Sequence, residues 1–221
     1  MTTLDSKKWF VIYTKPRTEI KVSQRLSVLG IENYTPTRME IRQWSDRKKK
    51  TLVPLLSSLV LVSIHEKEVN KILIIDLDVH QGNGTAKIFE NDPNVFTFSM
   101  HGKNNYPLKK ELSDLDIELE DGTGDRDYLY LLESSLHSIL KDFDPDFVFY
   151  QCGVDIIDTD KLGKLKVSKE GARKRDILVF DTVKQLDVPV VCSMGGGYSP
   201  KIADIVDAHA NTFRMAQTIL C

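Results

Sequence analysis

Asp76, Asp78 and His80 occupy every second position of the stretch VNKILIIDLDVHQGNG, residues 69–84. In an extended chain, residues i, i+2 and i+4 point to the same side. Asp78 and His80 could therefore hold one metal ion together, with Asp76 placed beside them. Asp155, at the end of DFVFYQCGVD (146–155), would complete a set of one imidazole and two carboxylates. Three protein ligands with an open position is the pattern of catalytic rather than structural zinc. Such an ion lowers the pKa of water to roughly 7 and polarises a carbonyl. Tyr198, following Gly195-Gly196-Gly197, could donate a hydrogen bond to a developing oxyanion. The whole set suits hydrolysis of an amide. A plainer reading stands beside it: D-x-D at a strand end caps a turn, GNG is a common turn, and GGG-Tyr is a tight turn with a packed aromatic. His101 and His209 are expected to be structural histidines.

The elements that must carry these residues alternate. ILIIDLD (72–78) is a continuous apolar run, as in a strand covered on both faces. NVFTFSMH (94–101), DFVFYQCGVD (146–155) and VPVVCSMGGGY (188–198) are expected as further buried strands. DYLYLLESSLHSILKDF (127–143) places Leu129, Leu132, Leu136, Ile139 and Leu140 on one helical stripe. Residues 168–187 are predicted helical, with Ser168 as cap. Ser199-Pro200 opens a last helix with Ile202, Ile205, His209, Phe213 and Ala216 as its stripe. This alternation predicts an α/β fold, a mostly parallel sheet flanked by helices. Ligands in such folds sit beyond the carboxyl ends of the strands. Asp76, Asp78, His80, Asp155 and Tyr198 all fall there.

Residues 1–70 have a different character. WFVIYT (9–14) is β-prone, Thr18 is a candidate helix cap, and Val22, Leu26 and Leu29 form a short helical stripe that Gly30 ends. IENYTPTRMEIRQW and TLVPLLSSLVLVSI are two extended segments joined by the polar turn SDRKKK, and HEKEVNK starts another helix. The expected order is β-α-β-β-(α), a small α+β unit. Arg47, Lys48, Lys49 and Lys50 form a basic run that is either a solvated hairpin tip or a site of salt-sensitive phosphate contact.

Charge also separates the two parts. Residues 1–70 hold 13 Lys+Arg against 7 Asp+Glu, which is +6; with 30 and 32 in the whole chain, the rest holds 17 against 25, which is −8. Three scattered cysteines argue against a disulfide framework and for a reducing compartment. The N-terminus has no apolar signal core, and the longest greasy run is interrupted by Pro54 and falls short of the ~20 residues that span a bilayer. These features predict a cytoplasmic protein with no membrane segment.

Two resemblances follow. KKWFVIYTKPRTEIKV, LGIENYTPTRMEIRQWSDRKKK and the VPLL after it resemble the N-terminal domain of NusG-type transcription elongation and antitermination factors, over about residues 7–70. This resemblance implies docking on RNA polymerase, with the basic hairpin near nucleic acid. IIDLDVHQGNGT, FTFSMHGKNNYP, SDLDIELEDGTGDRDYL, YQCGVD and MGGGYS, running from about Ile72 to the C-terminus, resemble the histone deacetylase family in the broad sense, acetylpolyamine deacetylases included. It implies an arginase/deacetylase-like fold, Zn2+ on Asp78, His80 and Asp155, Tyr198 polarising the substrate carbonyl, and Asp76 behind the ligands. It also implies a monovalent cation near Asp76, Asp78, His80 and Ser99, and acetyl-lysine or acetylpolyamine as substrate. Family members carry a tandem His-His before the first aspartate motif, as general base. Here the only histidine before Asp76 is His65, in IHEKE. The expectation is a chimera of two fragments, 1–70 and 71–221, meeting near Val69–Ile72, arisen by recombination or by an error of gene assembly, with impaired hydrolase activity. The alternative is a polymerase-binding module with a non-catalytic C-terminal part.

Overall fold

The computed structural model describes residues 7–14, 16–43, 48–65 and 71–221. The chain separates into two compact units, residues 1–68 and 69–221.

In the first unit, β1 (Lys7–Tyr13) leads to α1 (Glu19–Val28), then β2 (Glu32–Tyr34), β3 (Thr37–Gln43), β4 (Lys48–Pro54) and β5 (Leu59–His65). β5 lies between β1 and β2, antiparallel to both, while β3 and β4 form a separate hairpin. Each of the two long extended segments of the sequence is thus two strands. The first breaks at Thr35-Pro36, where proline removes a ladder donor. The second breaks at Leu55–Ser58, where Ser58 takes φ 62°. α1 ends in a Schellman motif: Gly30, at φ 73°, donates to the Ser27 carbonyl (3.0 Å) and Ile31 to that of Leu26 (2.9 Å). At the other end Thr18 makes no side-chain cap bond. Glu19, 1% exposed, instead accepts from the backbone N–H of Ser58 (2.6 Å) and of Arg17 (3.2 Å), pinning the helix start to the β4–β5 turn. Val22 and Leu26 are half-buried, but Leu29 is 71% exposed because it lies at the cap, past the last full turn.

The second unit carries β6 (Ile72–Asp76), α2 (Asn83–Phe89), β7 (Val95–Gly102), β8 (Leu115–Leu119), α3 (Asp125–Asp142), β9 (Phe147–Gln151), α4 (Lys169–Leu186), β10 (Val190–Ser193) and α5 (Ile202–Leu220). The five strands form one sheet in the order β10-β9-β6-β7-β8, and every pairing is parallel. Leu73, Ile75, Leu77 and Val79 are fully buried, each contributing roughly 1.5–3 kcal/mol. They pack with Phe98 and Met100 of β7, Tyr150 of β9, Leu132 and Leu136 of α3, and Val179 and Phe180 of α4. α2 lies against β7, where Thr85 shares a cavity of about 10 Å³ with Ile74, Thr97 and Ser99.

Several details differ from expectation. β8 and α2 were not anticipated. β9 and β10 are covered on one face only, leaving Phe149 and Val191 42% and 47% exposed. In α5 the buried residues are Ala208, His209 and Thr212, while Ile202 and Phe213 are exposed. That helix turns its polar Thr212 inward because a buried carboxylate accepts from it. Ser168 caps α4 as predicted, its hydroxyl accepting from the Gly171 N–H at 2.9 Å. Among the described residues no helix is long and apolar enough to cross a membrane.

Candidate metal centre

Strand order dictates where the chemistry gathers. From β6 the chain runs outward to β7 and β8, then returns to pair β9 on the other side of β6 and continues to β10. The direction of winding reverses between β6 and β9, and a crevice opens at their carboxyl ends. The last ladder pair there is Asp76 with Gln151, closed by the Leu77 N–H donating to the Gln151 carbonyl at 3.0 Å. Beyond it the two strands part. Asp78 and His80 leave one of them and Asp155 leaves the other.

The three side chains converge. Their donor atoms lie within 4.8 Å of one another. His80 Nδ1 sits 3.0 Å from Asp78 Oδ1 and 3.1 Å from Asp155 Oδ2. The remaining carboxylate oxygens are held by backbone: Gly196 N–H donates to Asp78 Oδ2 (2.7 Å) and Val79 N–H to Asp155 Oδ1 (2.9 Å). Asp155 is fully buried, Asp78 9% exposed, and the His80 side chain 26% exposed. An imidazole nitrogen aimed at two carboxylates is the donor set of a divalent-cation site, and its one-nitrogen, two-oxygen chemistry fits Zn2+.

Charge follows this geometry. Hydrogen bonds to Asp155 and Asp78 raise the pKa of His80 to about 10. Burial works against the Asp78 carboxylate, but the hydrogen bonds from His80 and Gly196 outweigh it and hold its pKa at about 2. Asp155 is displaced upward, because its complete burial outweighs what His80 returns. Burial also lifts Asp76 to about 7, and its Oδ1 accepts from the Asp78 N–H at 3.1 Å. Asp76 thus lies beneath the cluster as a carboxyl poised near neutrality.

The glycine run after β10 supplies close approach. A Cβ on Gly196 would overlap Asp155 Oδ2, and one on Gly195 would come within 2.6 Å of Asp78 Oδ2. Tyr198 follows, 46% exposed, with its N–H donating to Asp160 Oδ2 at 2.5 Å and its ring beside Gly196. Ser99 lies on β7 opposite Asp76, and its hydroxyl is 3.0 Å from His101 Nδ1. His101 and His209 are buried and are not among the three converging residues, and burial lowers the pKa of both. Of the basic run, Arg47 lies outside the described residues; Lys48, Lys49 and Lys50 open β4, and Lys50 is exposed.

One group escaped the sequence reading. Arg175 of α4 is fully buried beneath the crevice, and its Nη1 donates to the carbonyls of Gly153 (2.5 Å) and Leu77 (3.4 Å). Its Nε and Nη2 donate to Asp176 Oδ1 at 2.9 and 2.8 Å. Asp176 also accepts from the Tyr150 hydroxyl (2.6 Å) and, through Oδ2, from Thr212 (2.7 Å). Nothing local in the sequence GARKRDILVF separates these two charges from the exposed ones beside them, because their burial depends on partners elsewhere in the chain.

Comparison with known proteins matches residues 57–213 to the histone deacetylase domain. The match starts ahead of Ile72 and leaves residues 1–56 outside it. An uncharacterized protein of Picosynechococcus sp. is 47% identical over 149 residues, 67% of this chain and 50% of that protein. Histone deacetylase 2 of Arabidopsis thaliana is 34% identical over 141 residues, 62% of this chain and 36% of that one. The crystal structure of a histone deacetylase homologue from Aquifex aeolicus is similar with a TM-score of 0.58 and 25% identity, over 68% of this chain and 42% of that one. The chain spans about half or less of the length of these relatives.

Proposed function

The chain belongs to the histone deacetylase family, and from that premise we propose that its second unit is the zinc-holding part of an amide deacetylase site with weak turnover. The observation that carries this reading is the convergence of Asp78, His80 and Asp155 donor atoms within 4.8 Å at the switch point of the sheet. These three residues would hold Zn2+, which when bound supplies Lewis acidity toward an amide carbonyl and acidifies water. A monovalent cation near Asp76, Asp78, His80 and Ser99 belongs to the same proposal. The substrate class is an acetylated amine, acetyl-lysine or an acetylpolyamine.

The chain's own groups define what it can do. Gly196 and Val79 N–H groups fix the outer oxygens of both carboxylates, so the inner ones face the imidazole without searching rotamers. Tyr198, on the exposed rim, donates its phenolic hydrogen to the carbonyl oxygen as negative charge develops there. Asp76 supports the ligand loop from below through the Asp78 N–H. These 221 residues contain no adjacent pair of histidines to take a proton from the attacking water. Absence of that base removes a contribution of roughly 10²–10⁴ in rate.

The test is metal content and acetate release. Purified chain should take up one zinc, lose it in Asp155→Ala, and release little acetate from acetyl-lysine peptides or an acetylpolyamine. Rapid acetate release would overturn the impairment, and unchanged zinc in Asp155→Ala would overturn the ligand assignment.

A second reading concerns the first unit. The resemblance of residues 7–70 to a NusG-type N-terminal domain and the basic run Arg47–Lys50 support a unit that docks on RNA polymerase near nucleic acid, and with it the view of the chain as a joined pair of fragments. Full-length chain should retain polymerase in a pull-down that weakens on changing Arg47–Lys50 to alanine; equal retention by the variant would refute the contact.

A further inference from the structure

We infer that Arg175, locked by Asp176, is the positioning residue that sets the separation of the three metal-site donors. The inference rests on the metal-centre reading above and deepens it. Its basis is where the guanidinium bonds. The last regular contact between β6 and β9 is made at Leu77 and Gln151. Past that point no ladder bond links the two strands, yet Asp78 and Asp155 must meet across the gap. Arg175 Nη1 takes the Leu77 carbonyl, one residue before Asp78, and the Gly153 carbonyl, two residues before Asp155. One side chain therefore spans the two backbone segments at the place where they diverge.

Two further features make the span rigid. Asp176 accepts both remaining guanidinium edges and is itself held by Tyr150 of β9 and Thr212 of α5. The Arg175 guanidinium also stands 5.8 Å from the centre of the Tyr150 ring. The charge pair is thus tied to the sheet and to two helices, with both partners at most 1% exposed. A planar five-donor fork can serve two carbonyls and a carboxylate at once; an ammonium, a point charge on a flexible stem, holds them in no fixed plane. Without the fork, the two carbonyls become buried acceptors lacking partners, and the strand ends are free to shift. Groups that orient metal ligands from behind typically change metal affinity by roughly 10–100-fold.

The experiment uses the full chain, Co2+ as a spectroscopic probe, and Arg175→Lys. Cobalt affinity and the visible d–d absorption report ligand geometry; a thermal melt of the metal-free protein reports folding. The expected result is a cooperative melt with at least tenfold weaker cobalt binding and a weakened or shifted d–d band. Unchanged affinity and band shape in Arg175→Lys would overturn the inference while leaving the metal centre standing. Should Arg175→Lys not fold, Tyr150→Phe and Thr212→Val each delete one hydrogen bond to Asp176 and keep the charge pair. At least one of them must then weaken cobalt binding severalfold with the melt preserved, and unchanged binding in both overturns the inference. Asp155→Ala separates the two levels: if it binds cobalt like the unaltered chain, the metal-centre reading fails and the inference falls with it.

Discussion

Zinc binding to this chain should release protons, and the number released can be worked out from the site. In the metal-free protein, hydrogen bonds to Asp155 and Asp78 keep His80 protonated up to about pH 10. A ligating imidazole must be neutral at the nitrogen it offers, so binding expels that proton. Asp78, held at about 2, has none to lose. Near pH 8 His80 therefore contributes one proton per zinc, worth about tenfold in apparent affinity per pH unit, about 1.4 kcal/mol, and a zinc-bound water acidified to a pKa of roughly 7 adds to the release. Below about pH 7 Asp76 also carries a proton, and a cation close above it favours the charged carboxylate. The slope should then steepen toward two. Calorimetric titration with chelator-buffered zinc, in buffers of different ionisation heat at pH 6.5 and pH 8, counts the protons directly. Release of more than one proton at both pH values is the expected result. Release below one at pH 6.5, where a zinc-bound water keeps most of its protons, would refute the argument that His80 is held as a cation between the two acids.

Two smaller predictions accompany it. Gly196→Ala drives a methyl into the Asp155 carboxylate; a loss of about 1–3 kcal/mol and of zinc binding together should follow, read by chemical denaturation and metal analysis. Ser168→Ala deletes the cap of α4 and its hydroxyl bond to Asp125, and should cost about 1–2 kcal/mol, a melting shift of roughly 2–8 °C, with zinc affinity retained.

The site was legible because its logic is local. Alternation along 72–80 put Asp78 and His80 on one side of the segment that, in the structure, leaves β6 at Asp76, and α/β order sent Asp155 to the same rim. Elements that lack a strong period escaped. β8 is a five-residue strand in which acids alternate with Leu115, Ile117 and Leu119, so its apolar signal is only three residues deep. α2 is seven residues long and begins beside two glycines. The face of α5 differs from the expected stripe because Thr212 is drawn inward by Asp176 and Phe213 is left outside, while His209 is buried as the stripe implies. Arg175 was invisible for the same reason: whether a charged helix residue is buried depends on a partner elsewhere in the chain, here carbonyls 98 and 22 residues away. The need for Gly195 and Gly196 was read as a turn, whereas the structure shows it to be clearance for two carboxylates.

The position of β6 has a consequence for how this unit breathes. It is the middle strand of five, paired along its length on both sides, and it is the strand that leads into two of the three donors. Backbone amides in such a strand exchange with solvent only when the cooperative unit opens as a whole. Separating the donors therefore requires sub-global unfolding rather than the fraying of a loop. The free energy of capturing an ion is delivered to that same transition, as ligand-linked stability. Protection against deuterium uptake should consequently rise together across β9, β6 and β7 when the ion enters, instead of only at the rim where it binds.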